Sequence, residues 1–320
     1  MVIRQWRTTD REALAELAKC DPESESSRAL LAALGSPEWL SPFDPRDTLV
    51  AADGDVLIGI GTLWEHDLHP ARWRVSMHGR PEFWSQESAE AMLSGLRDLR
   101  PDDRPLQTAA SARDAQRCEF FQNHGFSMLM RTRSGILPPG AIPDSVAIDF
   151  DDARQRTEAE RVRTVSVPAI RRMKDSYDQL ARLHAAIYEQ GHQWNPVRPL
   201  TDAEAAEMFL ESDELVPEAT YIALRRKQMI AVSSLRRIFG RDVVELGWTG
   251  AILGDQRQRR DLVYTLLGAC LRHATSENWP VSFEVDEADS IMWEMTERLP
   301  LEREPDWLTF AEDGSGLPAV

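Results

Sequence analysis

An internal repeat constrains the fold of this chain more than any other feature of its 320 residues. Three pairs of segments match in their pattern of apolar, polar and aromatic residues, at a nearly constant offset of about 172 to 175 positions. The pairs are 49–63 with 221–235, 84–99 with 257–271, and 118–126 with 293–301. The first pair, "LVAADGDVLIGIGTL" and "YIALRRKQMIAVSSL", predicts a strand, a tight polar turn and a second strand in each copy. Repetition in the same order predicts a duplicated domain.

The repeat divides the chain into two predicted domains, residues 1–137 and residues 165–320. Residues 138–164 between them have the Pro, Gly and acidic composition of a linker, with room for a short helix. Strands and helices alternate only in the second half of each copy. This order predicts an α/β fold with a mixed (α+β), mostly antiparallel twisted sheet flanked by helices in each domain, rather than a doubly wound sheet.

The charge balance limits the partners expected for this chain. Its 37 Lys and Arg residues against 53 Asp and Glu residues give a formal net charge of -16. A chain this acidic is not expected to bind nucleic acid or an anionic membrane surface, but it suits a small partner such as a cationic amine. The 3 cysteines are too few for a disulfide framework or a zinc site. Because the sequence has no apolar signal region and no run approaching a membrane span, we expect a cytoplasmic protein.

The order of predicted elements in each copy is strand, helix, hairpin, strand, loop, helix, strand, helix, strand. This order resembles that of the GNAT acetyltransferase superfamily, and its repetition over nearly the whole chain resembles a tandem GNAT protein, similar in plan to mycothiol synthase. In that family the fourth strand ends in a loop, R/Q-x-x-G-x-G/A, whose backbone N–H groups and following helix N-terminus hold the pyrophosphate of acetyl-CoA. The resemblance implies acetyl-CoA or another acyl-CoA as co-substrate, no metal, and a monomer built as a pseudo-dimer of two domains.

In the second copy the phosphate motif falls between a strand predicted over 243–252 and a helix predicted over 257–275. The matching residues are Arg257, Gln258, Arg259, Arg260, Asp261 and Leu262. Arg260 and Leu262 stand where the family has small residues, but three guanidinium groups at a helix N-terminus can still bind phosphate by charge-assisted hydrogen bonds. The resemblance adds Gly250, Ala251 and Ile252 beside the pantetheine arm, and Asp289 where such proteins often have an asparagine near the cofactor. The alternative is a GNAT-derived loop that no longer binds CoA.

The first copy departs further from the motif, since its loop reads Trp84, Ser85, Gln86, Glu87. Trp84 replaces the arginine, and Glu87 places a negative charge where the pyrophosphate would lie, which lowers affinity. Phe121 stands at the family's tyrosine position and cannot donate a proton. The first copy is therefore predicted to be mainly structural, and the open alternative is that this copy is the one that keeps the cofactor.

Amine acylation needs a base for the ammonium, a donor for the thioester carbonyl oxygen and an acid for the departing thiolate. Glu245, on the predicted fourth strand of the second copy, is the candidate base acting through water, unless it is a solvent-facing strand residue. Thr296 stands at the acid position, and Tyr188 is a second candidate on the preceding helix. His192 and Trp194, in "YEQGHQWNPVRPLT", are candidates for the acceptor pocket that GNAT proteins commonly build here, although this composition also indicates an ordered loop.

Other chemistry finds little support in the sequence. Glu65, His66 and His69, in "WEHDLHPARW", have a spacing that metal ligands can have, but a polar turn between strands is the favoured interpretation. No serine elbow, Walker loop or dinucleotide fingerprint is present in the sequence. The predicted function is an acyl-CoA-dependent N-acyltransferase acting on a small amine by direct transfer from the thioester. The alternatives are a catalytically inactive tandem GNAT fold acting as a binding or scaffold protein, and a GNAT fold using a different donor such as an aminoacyl-tRNA, against which the acidic charge counts.

Overall fold

A computed structural model describes residues 1–19, 47–84, 86–171, 173–211, 213–238 and 240–312. Ser85 of the first predicted loop lies outside these described residues. None of the helices formed by the described residues combines the length and apolar character needed to cross a bilayer.

The order of elements follows the repeat. In the N-terminal half the elements are β1 Val2–Gln5, α1 Arg11–Ala18, β2 Thr48–Asp53, β3 Val56–Glu65, β4 Trp73–Gly79, α2 Gln86–Asp98, β5 Leu106–Ser111, α3 Ala115–Asn123 and β6 Ser127–Leu137. In the C-terminal half they are α4 Asp144–Ala159, β7 Val162–Ser166, α5 Val167–Ile170, α6 Ser176–Gly191, α7 Asp202–Phe209, β8 Tyr221–Arg225, β9 Gln228–Ser233, β10 Leu235–Arg237, β11 Val244–Leu246, β12 Gly250–Ala251, α8 Gln256–Ser276, β13 Val281–Asp286, α9 Ser290–Arg298, β14 Glu302–Arg303 and β15 Trp307–Ala311. The predicted mixed, mostly antiparallel α/β fold is confirmed.

The chain divides into two compact units. Unit 1 consists of Met1–Leu129 with Leu308–Val320, and unit 2 consists of Met130–Trp307. Most of β6 therefore belongs to unit 2, and most of β15 belongs to unit 1, so each unit receives its last strand from the other half of the chain. The domain boundaries predicted from the repeat instead place β6 in the first domain and β15 in the second.

In unit 1 the strands follow the order β1-β2-β3-β4-β5-β15. The neighbours from β1 to β4 are antiparallel, whereas β4 and β5 run parallel and pair only at Trp73↔Leu106 and Arg74↔Gln107. Helix α2 packs closely on β3: a Cβ added at Gly61 of β3 would lie 2.7 Å from the sulfur of Met92 in the helix. This amphipathic helix buries its apolar face completely and so covers the central strands.

Unit 2 contains two groups of paired strands, β6-β13-β11-β10 and β12-β9-β8-β7. The parallel strands β11 and β13 pair only at Val244↔Val281 and Glu245↔Ser282. The strand predicted over 243–252 is interrupted, because β11 pairs with β10 and β13 while β12 pairs with β9. The residues between them, 247–249, form no strand and open one side of the sheet.

The segment predicted as a linker is folded within unit 2 as α4 and β7. Val146, Phe150 and Ala153 are buried at the helical spacing of one face, and Phe150 packs against α8 where a Cβ at Gly268 would lie 2.8 Å from its ring. The many charged residues of α4 cover its other face, which explains why composition alone indicated a linker.

Candidate functional site

A cleft of about 710 Å³ opens in unit 2 where β11 and β13 separate. Its lining comes from the 245–251 segment, from the end of β13 and from the residues that lead into α9. The first turns of α8 and the loop after α6 also contribute to it. Because β11 and β13 pair over only two residues before they part, the backbone itself creates this opening.

The interruption between β11 and β12 leaves backbone N–H groups available as hydrogen-bond donors at the cleft. The Gly247 N–H donates to the Ser234 carbonyl oxygen at 2.8 Å, and a Cβ at Gly247 would overlap the Ser234 side chain. The backbone amides of Trp248 and Thr249, which line the cleft, donate to no backbone carbonyl among the described residues. Amides held in this way can stabilise negative charge that develops on a carbonyl oxygen.

Glu245 lines the cleft from β11, between Arg236 on β10 and Ser282 on β13. Burial raises the pKa of Glu245 above its usual value of 4.5; Arg236 opposes this rise and Glu214 adds to it. A carboxylate with a raised pKa is a stronger base than a solvent-exposed one. The structure thus places the predicted base in the cleft, and its catalytic role stays a prediction.

The three arginines at the start of α8 have different surroundings. Arg259 lines the cleft, and its Nε is buried without a hydrogen-bond partner among the described residues. Arg260 turns away from the cleft to pair with Glu294 at 2.7 Å, with its guanidinium 5.0 Å from the Tyr264 ring centre. Arg257 is exposed and does not line the cleft. Of the three, therefore, only Arg259 lines this cleft.

The rest of the predicted phosphate motif lies within the helix. Asp255 caps α8 by accepting a hydrogen bond from the Gln258 N–H at 2.9 Å. Asp261 faces α4, where Arg156 binds it with two hydrogen bonds of 2.9 and 2.7 Å, and Leu262 is only 2% exposed in the core. Asp261 and Leu262 do not line the cleft, because each helical residue turns by about 100° and the second turn faces the interior; their place in the cofactor site stays a prediction.

The strand residues of the predicted cofactor site divide in the same way. Gly250 and Ala251 line the cleft, whereas Ile252 does not and donates its N–H to the Ile230 carbonyl oxygen at 3.0 Å. Asp289 also lines the cleft, where it caps α9 by accepting from the Met292 N–H at 3.1 Å. Burial raises the pKa of Asp289.

Neither predicted acid lines the cleft. Thr296 is fully buried, accepting a hydrogen bond from Arg133 at 2.9 Å and donating to the Trp293 carbonyl oxygen at 2.7 Å. Tyr188 is 6% exposed, and its ring lies 4.1 Å from His192 and 4.5 Å from Trp248, measured between ring centres. Both residues pack behind the walls of the cleft, and their role as proton donors stays a prediction.

The residues predicted for the acceptor pocket, in the loop after α6, lie at the cleft. His192 and Trp194 both line it, together with Trp248. The Trp194 Nε1–H donates to Asp286 at 3.2 Å. Trp248 and Asp286 were missed in the sequence; the signals that could have found them are the glycines near Trp248 and the position of Asp286 at the end of a buried strand.

The corresponding region of unit 1 is filled by aromatic side chains. A Cβ at Gly59 or Gly79 would overlap the ring of Phe83, which is fully buried. Trp84 packs edge-on against Phe120 of α3, with 5.7 Å between ring centres. Trp84 is thus a packing residue that lies between the start of α2 and α3.

The turn after β3 in unit 1 is held by its own hydrogen bonds. His66 Nδ1 accepts from the Leu68 N–H at 3.2 Å, and Glu65 pairs with Arg104 at 2.5 Å. Over the described ranges, no group of three or more His, Cys, Asp or Glu side chains is arranged to hold a metal ion.

Comparison of the sequence with protein-family models and with curated proteins gives no match. Solved structures, however, resemble the chain over almost all of its length. A GCN5-related N-acetyltransferase from Sphaerobacter thermophilus has a TM-score of 0.61 at 13% identity, covering 97% of this chain and 94% of that one. The tandem GNAT protein from the clavulanic acid biosynthesis pathway has a TM-score of 0.57 at 14% identity, covering 97% of this chain and 98% of that one.

A third similar structure is a glucosamine N-acetyltransferase region in a fungal multi-domain GH3 beta-N-acetylglucosaminidase. It has a TM-score of 0.60 at 10% identity and covers 97% of this chain but 38% of that one. At such identities the likeness establishes the fold, and it does not specifically indicate mycothiol synthase. The fold expected from the order of elements is confirmed: this chain has the GCN5-related N-acetyltransferase fold, and its match to a tandem GNAT protein over 97% of its length is consistent with two copies of that fold.

Proposed function

We propose that this protein is an acyl-CoA-dependent N-acyltransferase that acts on a small amine in the cleft of unit 2. The proposal rests on one observation: three functional groups lie together where β11 and β13 separate. Glu245 supplies a base with a raised pKa, the amides of Trp248 and Thr249 supply open donors, and Arg259 supplies a cation. The GNAT fold supports acyl transfer in general, and these groups support its particular form.

The residues of the cleft fit an acyl-CoA. Gly250 and Ala251 line the cleft, and residues this small let an extended pantetheine arm approach the strand closely. The buried Nε of Arg259, which lacks a partner among the described residues, is suited to a phosphate oxygen. Because the Asp255 carboxylate already occupies the Gln258 N–H, phosphate binding depends on the Arg259 side chain more than on the helix amides.

Different residues of the cleft perform the separate steps of direct acyl transfer. Glu245 takes a proton from the ammonium group, directly or through water, and leaves a neutral amine. The amides of Trp248 and Thr249 donate to a carbonyl oxygen as negative charge builds on it. An acyl-CoA supplies the thioester, so that a C–N bond forms, the C–S bond breaks, and the thiolate leaves as a thiol with the second amine proton. Because Thr296 and Tyr188 lie outside the cleft, this proton reaches the sulfur through water.

The charge of the chain supports a small-molecule acceptor rather than a nucleic-acid partner. With a formal net charge of -16, the protein attracts cationic amines and repels polyanions. We place this activity in a cytoplasmic monomer, in which the two units of one chain stand for the two subunits of a dimer.

One observation favours a second candidate, a binding protein without turnover. The carboxylate of Asp255 at the start of α8 competes with phosphate for the helix N-terminus. Such a protein would bind a ligand in the cleft but would not release free thiol from acetyl-CoA.

Thermal unfolding in the presence of acetyl-CoA tests the proposal, paired with release of free CoA thiol across a panel of small amines. We expect acetyl-CoA to raise the unfolding midpoint of the intact protein and of Arg257→Ala, and to raise that of Arg259→Ala much less. For Arg259→Ala the Kd should rise about 10- to 100-fold, since hydrogen bonds to charged groups contribute about 1.5–3 kcal/mol. Arg257→Ala is the matched control, because it removes the same side chain from the same helical turn outside the cleft.

Three other outcomes would decide against the proposal in different ways. An unchanged midpoint at millimolar acetyl-CoA excludes the acyl-CoA function. A midpoint shift without thiol release for any amine indicates the binding protein. Equal shifts for Arg257→Ala and Arg259→Ala place the cofactor outside this cleft.

A further inference from the structure

One face of β13 carries acidic side chains into the cleft. Alternate residues of a strand share a face, so Ser282, Glu284 and Asp286 lie on one side, while Phe283 and Val285 between them are buried. Glu245 pairs with Ser282 across the parallel strands, which places it on the same side. Glu245, Glu284 and Asp286 all line the cleft, and together they form an acidic row along its length.

The carboxylates at the two ends of this row are too far apart for a single ammonium group to contact both. Asp286 lies four positions beyond Ser282, the partner of Glu245, which corresponds to about 13 Å along an extended strand. Side chains stand roughly perpendicular to a sheet, so their carboxylates are separated by a similar distance. A molecule that contacts both Glu245 and Asp286 is therefore elongated.

Aromatic rings surround the Asp286 end of the row. His192, Trp194 and Trp248 line the cleft, with the His192 ring centre 6.1 Å from Trp194 and 5.5 Å from Trp248. Ring faces attract ammonium groups, and the attraction grows where water is excluded. A carboxylate beside such rings is a typical arrangement for binding an amine cation.

Asp286 itself is held in place by two donors. The Thr132 hydroxyl donates to Oδ1 at 2.6 Å, and the Trp194 indole N–H donates to Oδ2 at 3.2 Å. A carboxylate offers about four lone-pair sites, so both oxygens keep capacity for a ligand. The cationic Arg236, which also lines the cleft, pairs with Glu214 at 2.6 Å near the other end of the row.

From these features we propose that the acceptor is a linear diamine or polyamine. One nitrogen lies at Glu245 and receives the acyl group, while a second, still protonated nitrogen binds to Asp286 and the rings of Trp194 and His192. The proposal rests on the acyltransferase function argued above and names its substrate class. It makes Asp286 a residue that determines specificity rather than one that takes part in the chemistry.

Kinetics with putrescine and butylamine test the proposal, because these amines have the same carbon chain and differ in the second nitrogen. We expect kcat/KM for putrescine to exceed that for butylamine by at least 10-fold. The substitution Asp286→Asn should raise KM for putrescine by about 10- to 100-fold more than KM for butylamine, since it removes a charged hydrogen-bond partner. Glu287→Gln, at the exposed neighbouring position, is the matched control and should change neither value.

The substitution Trp194→Phe provides a second test if Asp286→Asn does not fold. It keeps an aromatic ring but removes the indole donor that holds Asp286, so KM for putrescine should rise while the stabilisation by acetyl-CoA stays the same. Equal kcat/KM for the two amines in the intact protein would overturn the proposal. Equal losses for both amines in Asp286→Asn would overturn it too.

Calorimetry without acyl-CoA separates this inference from the proposed function. Spermidine should bind the intact protein and bind Asp286→Asn at least 10-fold more weakly. If no amine is acylated but spermidine binding depends on Asp286, the catalytic proposal fails and the ligand class stands. If amines are acylated but spermidine does not bind at millimolar concentration, the ligand class fails and the catalytic proposal stands.

Discussion

The two units place the same strand pair at their centres and use it differently. In unit 2, β11 and β13 pair at Val244↔Val281 and Glu245↔Ser282; in unit 1, β4 and β5 pair at Trp73↔Leu106 and Arg74↔Gln107. By this register Arg74 takes the place of Glu245. A guanidinium stays protonated at any working pH, so the position that can hold a base in unit 2 cannot hold one in unit 1.

The side chains beyond the paired residues differ as much as these two. Unit 2 presents Gly250 and Ala251 to an open cleft, whereas unit 1 packs Phe83 and Trp84 into its interior. The same backbone plan therefore supports an open cleft in one unit and a hydrophobic core in the other. Function follows the side chains at the parted strands, and the fold alone does not decide it.

The largest expected effect comes from removing the aromatic packing of unit 1. Phe83→Ala should lower the free energy of unfolding by about 3–5 kcal/mol, because it leaves a cavity against Gly59 and Gly79. Urea denaturation measures this loss. The comparison also predicts that the Kd for acetyl-CoA, measured below the unfolding range, does not change.

Met128→Ala is the control for Phe83→Ala, since this side chain is 51% exposed and its loss should cost within about 0.5 kcal/mol. If Phe83→Ala abolished acetyl-CoA binding while the protein stayed folded, unit 1 would contain the cofactor site. That result would reverse the roles assigned to the two units.

A smaller effect is expected from Glu245→Gln in unit 2. Loss of the base should lower kcat by about 100-fold, while acetyl-CoA still stabilises the protein. If the protein has the proposed activity, kcat/KM of the intact protein should fall as pH decreases through the raised pKa of Glu245, because only the carboxylate accepts a proton. Glu245→Gln should remove this acid limb from the pH–rate profile.

Stability provides a separate check on Glu245. A carboxyl group whose pKa is raised on folding favours the folded state at low pH and destabilises it when ionised at neutral pH. The unfolding midpoint of Glu245→Gln at neutral pH should therefore not fall below that of the intact protein. Glu302→Gln, an exposed substitution on β14, controls for a general change of charge. An acid limb that persists in Glu245→Gln would assign the base to another group.

Much of the fold could be predicted because the periodicity within each copy is local. The helix expected over 257–275 is found at Gln256–Ser276, and the hairpin expected over 48–64 is found as β2 and β3. The partner of a strand is a non-local property. For this reason nothing in the sequence pattern assigned β15 to unit 1 or β6 to unit 2.

The site was predictable only where a residue's place along the backbone decides its role. Glu245 and Gly250 lie on the wall of the cleft because the strand leads there. The direction of each side chain at the start of α8 depends on where the helix begins and on its partners. Arg260 pairs with Glu294 and so does not line the cleft, and Asp261 pairs with Arg156. Neither partner is near in sequence.

The smallest expected effect sharpens the comparison at the two helix starts. Asp255 caps α8 and places a carboxylate beside the proposed phosphate position, while Glu87, at the position that matches Arg260 in the repeat, places a carboxylate in the first turn of α2 in unit 1. Asparagine caps a helix about as well as aspartate, so Asp255→Asn should keep the stability of α8 while removing the negative charge. We expect acetyl-CoA to bind Asp255→Asn about 2- to 5-fold more tightly, as exposed charge interactions contribute up to about 1 kcal/mol. Glu87→Gln should leave this Kd unchanged, and a gain in affinity there instead would show that the phosphates lie at α2, so that the cofactor belongs to unit 1.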